Sequence, residues 1–351
     1  MNHVQALDGL RAIAVLIVMI SHAGLGHIVP GGFGVTIFFF LSGFLITTLM
    51  RLEMAKTGRL SFSGFYLRRT VRIIPPMLIC IAVTLVLSAA GLIERTIDLG
   101  WLGTDLLFLT NYAPLLGGTS NIPIPLWSLD VEEHFYLLFP ALYVALRSVS
   151  GRAAIGGIAA GLMLALALRI GTLQTSVDPA NIFYWMHTRI DSILYGCLLA
   201  VINNPVTDDR PWIGPGRIWL VLGLAMIGVT LIVRDPFFRE TFRYSVQGLG
   251  LFLVFNFVLR TSGAINRLLS VEPLRWVGNW SYVLYLIHLP LFMVAEHFFG
   301  IGALAYAIGF VLAFAFAAGM YRFVERPLLM WRKGFQERLR VPAVMRPKGL
   351  E

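Results

Sequence analysis

The chain has 351 residues, of which 57% are hydrophobic and only 13% charged. Soluble domains carry about 25% charged residues, so a soluble globular fold is excluded and lipid is the expected solvent. The net charge of +9 is confined to the ends of apolar runs rather than grouped on a polar domain, which points to membrane topology and away from nucleic acid.

A crossing needs roughly 20 apolar residues. Candidate spans fall at residues 7–25, 33–50, 75–93, 126–149, 153–171, 190–202, 216–233, 244–260, 276–298 and 301–324, with a further apolar stretch at 99–113. The expected fold is an all-α polytopic membrane bundle of about ten or eleven transmembrane helices, with residues 1–330 as the membrane domain and 331–351 as a basic tail. No small-x-small cleavage site follows Ser21-His22, so the first span is expected to be retained. Cys80 and Cys197 both lie in apolar runs, without metal spacing or a disulfide framework, and read as buried thiols.

Lysine and arginine in short loops set the orientation. Residues 51–72 hold Arg51, Lys56, Arg59, Arg68, Arg69 and Arg72, whereas 24–33 hold neither type. The first segment is expected in the cytoplasm and the second outside. Arg322, Arg326, Arg332, Lys333, Arg338, Arg340, Arg346 and Lys348 give the C-terminal end the same cytoplasmic sign. Both ends inside requires an even number of crossings, met if 99–113 dips in without crossing. Arg234, Arg239 and Arg243 then fall in an outer loop and break the rule, only partly offset by Asp235 and Glu240.

An ionisable side chain at mid-bilayer costs at least about 2.5–3.5 kcal/mol and is a functional candidate by default. Arg11 and His22 are eleven residues apart in the first span, close to three helical turns, so they share a face. Asp8, one turn before Arg11, can pair with it. Snorkelling of Arg11 and end-capping by His22 is the bland alternative. Histidine is also the natural general base near neutral pH.

If the segment before Pro75-Pro76 is helical, Arg72 lies one turn from both Arg68 and Arg69, and three guanidinium groups converge. Such a cluster can grip phosphates bidentately or rest on anionic lipid. Further on, Asp130, Glu132, Glu133 and His134 stand at the head of an apolar helix, where Ser128, Glu132 and Tyr136 stack at four-residue spacing. A carboxylate there can orient a histidine, or merely favour a helix N-terminus.

Ser281, Tyr285 and His288 form one polar stripe on an apolar helix, lining a cavity or bonding a neighbouring helix. Arg189 with Asp191, and Glu325 with Arg326, read as local pairs. Gly31, Gly32 and Gly34, and Ser42-Gly43, read as close-packing positions, since no strand precedes them to make a phosphate loop.

Taken in order, Leu7-Asp8-Gly9-Leu10-Arg11-Ala12 with His22, Gly32-Phe33-Gly34-Val35 through Ile46, Arg69 with Arg72, Trp127 through Tyr136, and Ser281 through Pro290 resemble the landmarks of the acyltransferase-3 family of membrane acyltransferases. The resemblance implies transfer of an acyl group, commonly acetyl, from cytosolic acyl-CoA to a hydroxyl of a carbohydrate or lipid-linked, cell-surface glycan. Some relatives acylate macrolides or similar small molecules. It implies that Arg68, Arg69 and Arg72 hold the coenzyme phosphates, that the pantetheine arm enters past Arg11, and that a base at His22 is oriented by Glu132 or Glu133. Asp8, Ser128, Tyr136, Ser281, Tyr285 and His288 would line the cavity.

The chain resembles the type without a C-terminal hydrolase-like domain. Acyl-CoA is the expected donor with no metal, the bacterial inner membrane the expected location, and a homo-oligomer is open. A transporter is the competing class, since midplane charges also bind transported substrates or protons, and a non-catalytic scaffold is the third. The transporter lacks an internal repeat here and leaves the arginine cluster without a task.

Overall fold

The computed structural model describes residues 5–95, 97–118, 122–175 and 182–339, with side chains as far as Arg332. Among the described residues the chain is helical, without strands. Ten helices of 16–28 residues occupy the ten expected places: α1 Gln5–Ile20, α2 Gly31–Thr57, α3 Phe62–Ala89, α4 Trp127–Val149, α5 Gly151–Leu173, α6 Met186–Ile202, α7 Arg217–Ile232, α8 Phe242–Arg260, α9 Glu272–Phe299 and α10 Ala303–Met320. Helix α11, Arg326–Leu339, follows. It runs through the boundary expected at residue 331, and the rest of the basic tail, with Arg340, Arg346 and Lys348, lies outside the described residues.

Among the described residues, seven helical segments, built on α1, α2, α3, α5, α8, α9 and α10, are long and apolar enough to cross a membrane. The other three have identifiable reasons for falling short. Helix α4 carries Asp130, Glu132 and Glu133, while α6 and α7 have 17 and 16 residues. The apolar stretch 99–113 forms only short helical turns, Leu99–Trp101, Leu102–Leu106 and Thr110–Leu116.

Helices α1, α2, α6 and α9 form the centre, α2 packing along α6 and α1 along α9, with α7 on α8 and α10 on α9 outside them. Buried fractions follow this order: 72% of the apolar window of α2 is covered, against 22% for α5. The outer helices therefore present leucine and valine to lipid, as Leu137, Leu138, Leu164 and Val311 do.

Lipid offers helices no hydrophobic drive to associate, so close approach of small residues must supply the contact. A Cβ on Gly43 would strike the Ile193 carbonyl, and one on Gly196 would strike the Phe40 carbonyl. The α2–α6 crossing is thus closed at two reciprocal points where only glycine fits. Gly43→Leu should force the pair apart at a cost of about 1–3 kcal/mol and lower the melting temperature in detergent by several degrees. An unchanged melting temperature would contradict this packing.

The α2–α3 turn has a local logic. Gly58 takes φ 77° and its N–H caps the Met54 carbonyl, and Ser61 caps α3 by accepting from the Gly64 N–H. Helix α3 begins at Phe62, thirteen residues before the expected span, and continues through Pro75 and Pro76. The prolines cannot donate to the carbonyls of Val71 and Arg72. At the same end, Arg51 of α2 pairs with Asp208 of the α6–α7 loop at 3.0 Å. Partial burial raises the Asp208 carboxyl, but the Arg51 hydrogen bond and the Asn204 N–H outweigh it and hold it below the usual range.

Candidate active site

A cavity of about 100 Å³ opens among α1, α2, α3, α4 and α9. Arg11, Arg69 and Arg72 supply its cations, and Phe38, Phe39, Leu41 and Leu45 its apolar wall. Arg11 lies 4.0 Å from Asp8. Arg69 is fixed by the rings of Phe65 and Tyr136, 6.0 and 5.4 Å from its guanidinium carbon, and its Nε is buried without a hydrogen-bond partner.

Arg68 is not part of this convergence. Its guanidinium is drawn back to Glu53 at 2.8 Å, because that carboxylate, which also accepts the Ser61 N–H, reaches across the α2–α3 turn. The expected trio of adjacent α3 arginines is replaced by Arg69, Arg72 and Arg11, from two helices.

The carboxylates at the head of α4 separate. Glu132 faces the cavity and accepts from Ser42, at 2.9 Å, and from the Tyr136 hydroxyl. Asp130 instead accepts the Asn111 N–H at 3.1 Å, tying down the 99–116 turns. Glu133 keeps Oε1 buried without a hydrogen-bond partner. Ser42 was expected only to pack. Gly43 does that, and its neighbour points at Glu132.

Ser281 and Tyr285 also line the cavity, and Ser128 donates to the Tyr285 hydroxyl at 2.8 Å. The stripe continues to His288, whose ring centroid is 6.2 Å from that of Tyr285. His288 is fully buried, and its Nε2 lies 2.8 Å from His22 Nδ1, with the rings stacked at 11°. His22 stands where α1 widens into a π turn, Ser21–Leu25, before Gly24 at φ 82° ends the helix. In this structure the partner of His22 is a histidine, while Glu132 bonds Ser42 and Tyr136.

The tautomers follow from one carbonyl. His288 Nδ1 is 3.0 Å from the Leu284 oxygen, which can only accept. His288 therefore donates from Nδ1 and leaves Nε2 to accept from His22 Nδ1–H. The lone pair of His22, an exposed residue, then sits on Nε2. The arrangement presents a neutral imidazole as a base, positioned by a second imidazole that is itself locked to the backbone.

A second polar centre was unforeseen. Arg169 of α5 pairs with Asp191 of α6 at 2.7 Å, donates to Ser245 of α8 at 2.8 Å, and is fully buried. The expected local pairing of Arg189 with Asp191 is thereby overturned, because Asp191 is taken by Arg169. Arg189, also fully buried, donates to Thr36 at 3.2 Å beneath the Tyr244, Phe183 and Phe39 rings. Breaking a buried pair from one side costs about 3–5 kcal/mol. Asp191→Ala should thus sharply reduce the folded yield, whereas Ser245→Ala should be mild. Equal yields of the Asp191 variant and wild type would refute the pairing.

A family model described as an acyltransferase domain matches residues 4–322, from the start of α1 to the end of α10. The chain belongs to the acyltransferase-3 family. It is 30% identical over 367 residues to the peptidoglycan O-acetyltransferase OatA of Listeria monocytogenes, with 96% of this chain and 58% of that protein covered. To the O-acetyltransferase OatA of Staphylococcus aureus it is 28% identical over 358 residues, covering 95% and 58%. The chain spans about three fifths of the length of the curated relatives it matches. No solved structure matches it. The match of this acyltransferase domain takes in both the arginine-lined cavity and the histidine pair.

Proposed function

We propose that this chain is an integral-membrane O-acetyltransferase. It takes acetyl from cytosolic acetyl-coenzyme A and passes it to a hydroxyl of a carbohydrate or lipid-linked glycan at the far membrane surface. The observation that carries this reading is a set of polar groups gathered from α1, α3, α4 and α9: three arginines in one cavity, Ser128 and Tyr285 on its wall, and a base-presenting histidine pair one helical turn beyond Tyr285. Two relatives named as O-acetyltransferases, one of them acting on peptidoglycan, support it.

In this reading Arg11, Arg69 and Arg72 hold the coenzyme phosphates, and Arg68 joins only by leaving Glu53. The apolar wall admits the slender thioester arm, and Ser128 and Tyr285 yield to let the acetyl group approach His22. His22 Nε2 takes the proton of the acceptor hydroxyl as its oxygen attacks the thioester carbonyl. The C–S bond then breaks, and the proton on the imidazolium passes to the departing coenzyme thiolate. His288 accepts from Nδ1–H throughout, while Glu132, held by Ser42 and Tyr136, fixes Arg69 and the cavity wall. Both termini face the cytoplasm of a bacterial inner membrane, from the arginines at residues 51–72 and the basic tail.

The test is thioester consumption and label transfer. Purified protein in lipid, given radiolabelled acetyl-coenzyme A, should bind it, hydrolyse it slowly and move the label to added glycan. Failure to bind any acyl-coenzyme A would overturn the donor site and bring the transporter class forward.

A further inference from the structure

The arginines that break the charge rule have no role in the scheme above. Arg234, Arg239 and Arg243 line a second cavity of about 460 Å³, together with Ser21, Gly26 and His27 from the turn that carries His22. They therefore sit at the end of α1 away from Arg11, where a topogenic excess is not expected.

Their local carboxylates leave them undersupplied. Asp235 is used to cap the short helix Pro236–Glu240, accepting the Phe238 N–H at 2.7 Å. Glu240 reaches Arg243 only at 4.0 Å. Arg243 donates from Nη2 to the Tyr244 hydroxyl at 2.7 Å, while its Nε is buried without a hydrogen-bond partner and its guanidinium carbon lies 4.8 Å from the Tyr244 ring centroid. Beneath the floor, Arg189 holds a further positive charge, 4.0 Å from the Tyr244 ring and 5.1 Å from the Phe183 ring, with Nε and Nη1 unpartnered. Phe183 and Tyr244 are themselves cavity walls.

The remaining lining suits a sugar. Phe33, Phe183 and Tyr184 offer ring faces, and Gln247, which donates to Thr230 at 3.1 Å, offers an amide. Three arginines on one wall that holds a single carboxylate, Glu240, leave positive charge for an anionic ligand to meet.

We propose that this cavity is the acceptor subsite and that it selects a glycan bearing an anionic group, a carboxylate or a phosphate, near the hydroxyl to be acetylated. The proposal rests on the acetyltransferase reading and specifies its substrate class. The anion binds Arg239 and Arg243, the sugar lies along the aromatic wall, and its hydroxyl reaches over the Ala23–His27 turn to His22.

Binding in neutral-lipid nanodiscs tests this, with a non-hydrolysable acetyl-coenzyme A analogue saturating the donor cavity. The probes are a glucuronate-terminated disaccharide, its methyl ester, N-acetylglucosamine 1-phosphate and free N-acetylglucosamine. At least one anionic probe should bind about tenfold or more tighter than its neutral counterpart, and Arg239→Gln/Arg243→Gln should erase that preference while donor binding is unchanged. Because Arg243 packs on Tyr244, the more exposed pair Arg234→Gln/Arg239→Gln serves as a second variant and should reduce the preference. A preference for glucuronate assigns the anion to the sugar, and one for the phosphate assigns it to a carrier linkage. Equal binding of charged and neutral probes, or a preference that survives both variants, overturns the proposal. Loss of donor binding in wild type would instead remove the acetyltransferase reading on which it stands.

Discussion

His22→Ala should lower acetyl transfer by about 10²–10⁴-fold, the usual contribution of a positioned general base, with acetyl-coenzyme A still bound at wild-type affinity. The two measurements separate because His22 is not among the residues lining the arginine-bearing cavity. His288→Ala should also slow transfer, but less. It removes the acceptor for His22 Nδ1–H and frees the ring to turn and exchange tautomers, without removing the base. Single-turnover label transfer beside equilibrium donor binding gives both numbers. Wild-type turnover in His22→Ala, or a larger loss in His288→Ala, would end this assignment.

Arg69→Ala/Arg72→Ala should raise the Kd for acetyl-coenzyme A by about a hundredfold or more. A hydrogen bond to a charged group contributes about 1.5–3 kcal/mol, and 1.4 kcal/mol is a factor of ten. Acetyl-pantetheine, which has no phosphate, should bind the variant and wild type alike, so the loss reports phosphate recognition rather than damage to the bundle. The double lysine variant should recover part of the affinity, since charge is kept while the bidentate fork is lost. Identical Kd values for acetyl-coenzyme A in wild type and the alanine variant would place the donor elsewhere.

These two predictions draw on different kinds of legibility. Arg69, Arg72, Arg11 and His22 stand out in the sequence because charge inside an apolar run is costly enough to need a reason. Their helices are legible for the same reason, since a bilayer requires long apolar segments with every backbone group satisfied internally. The positions of all ten helices could thus be read from the chain. The start of α3 could not, because the polar turns before Pro75 look like a loop until Ser61 is seen capping them.

Which side chains meet was a different matter. Periodicity assigns a residue to a face of its own helix, but the neighbour that face meets depends on crossings such as that of Gly43 over Gly196. His288 is 266 residues from His22, and nothing local marks them as partners. Arg68 and Arg69 are adjacent and chemically alike, yet Glu53 takes one and the rings of Phe65 and Tyr136 hold the other. Asp191 pairs with Arg169 rather than Arg189, two residues away, because residues two apart on a helix point to different sides. The membrane class, the helices and the charges inside them are legible along the chain, since each follows from transfer costs residue by residue. The pairings depend on how the helices cross, because in a low-dielectric interior a polar group bonds the partner that the packing brings within about 3 Å.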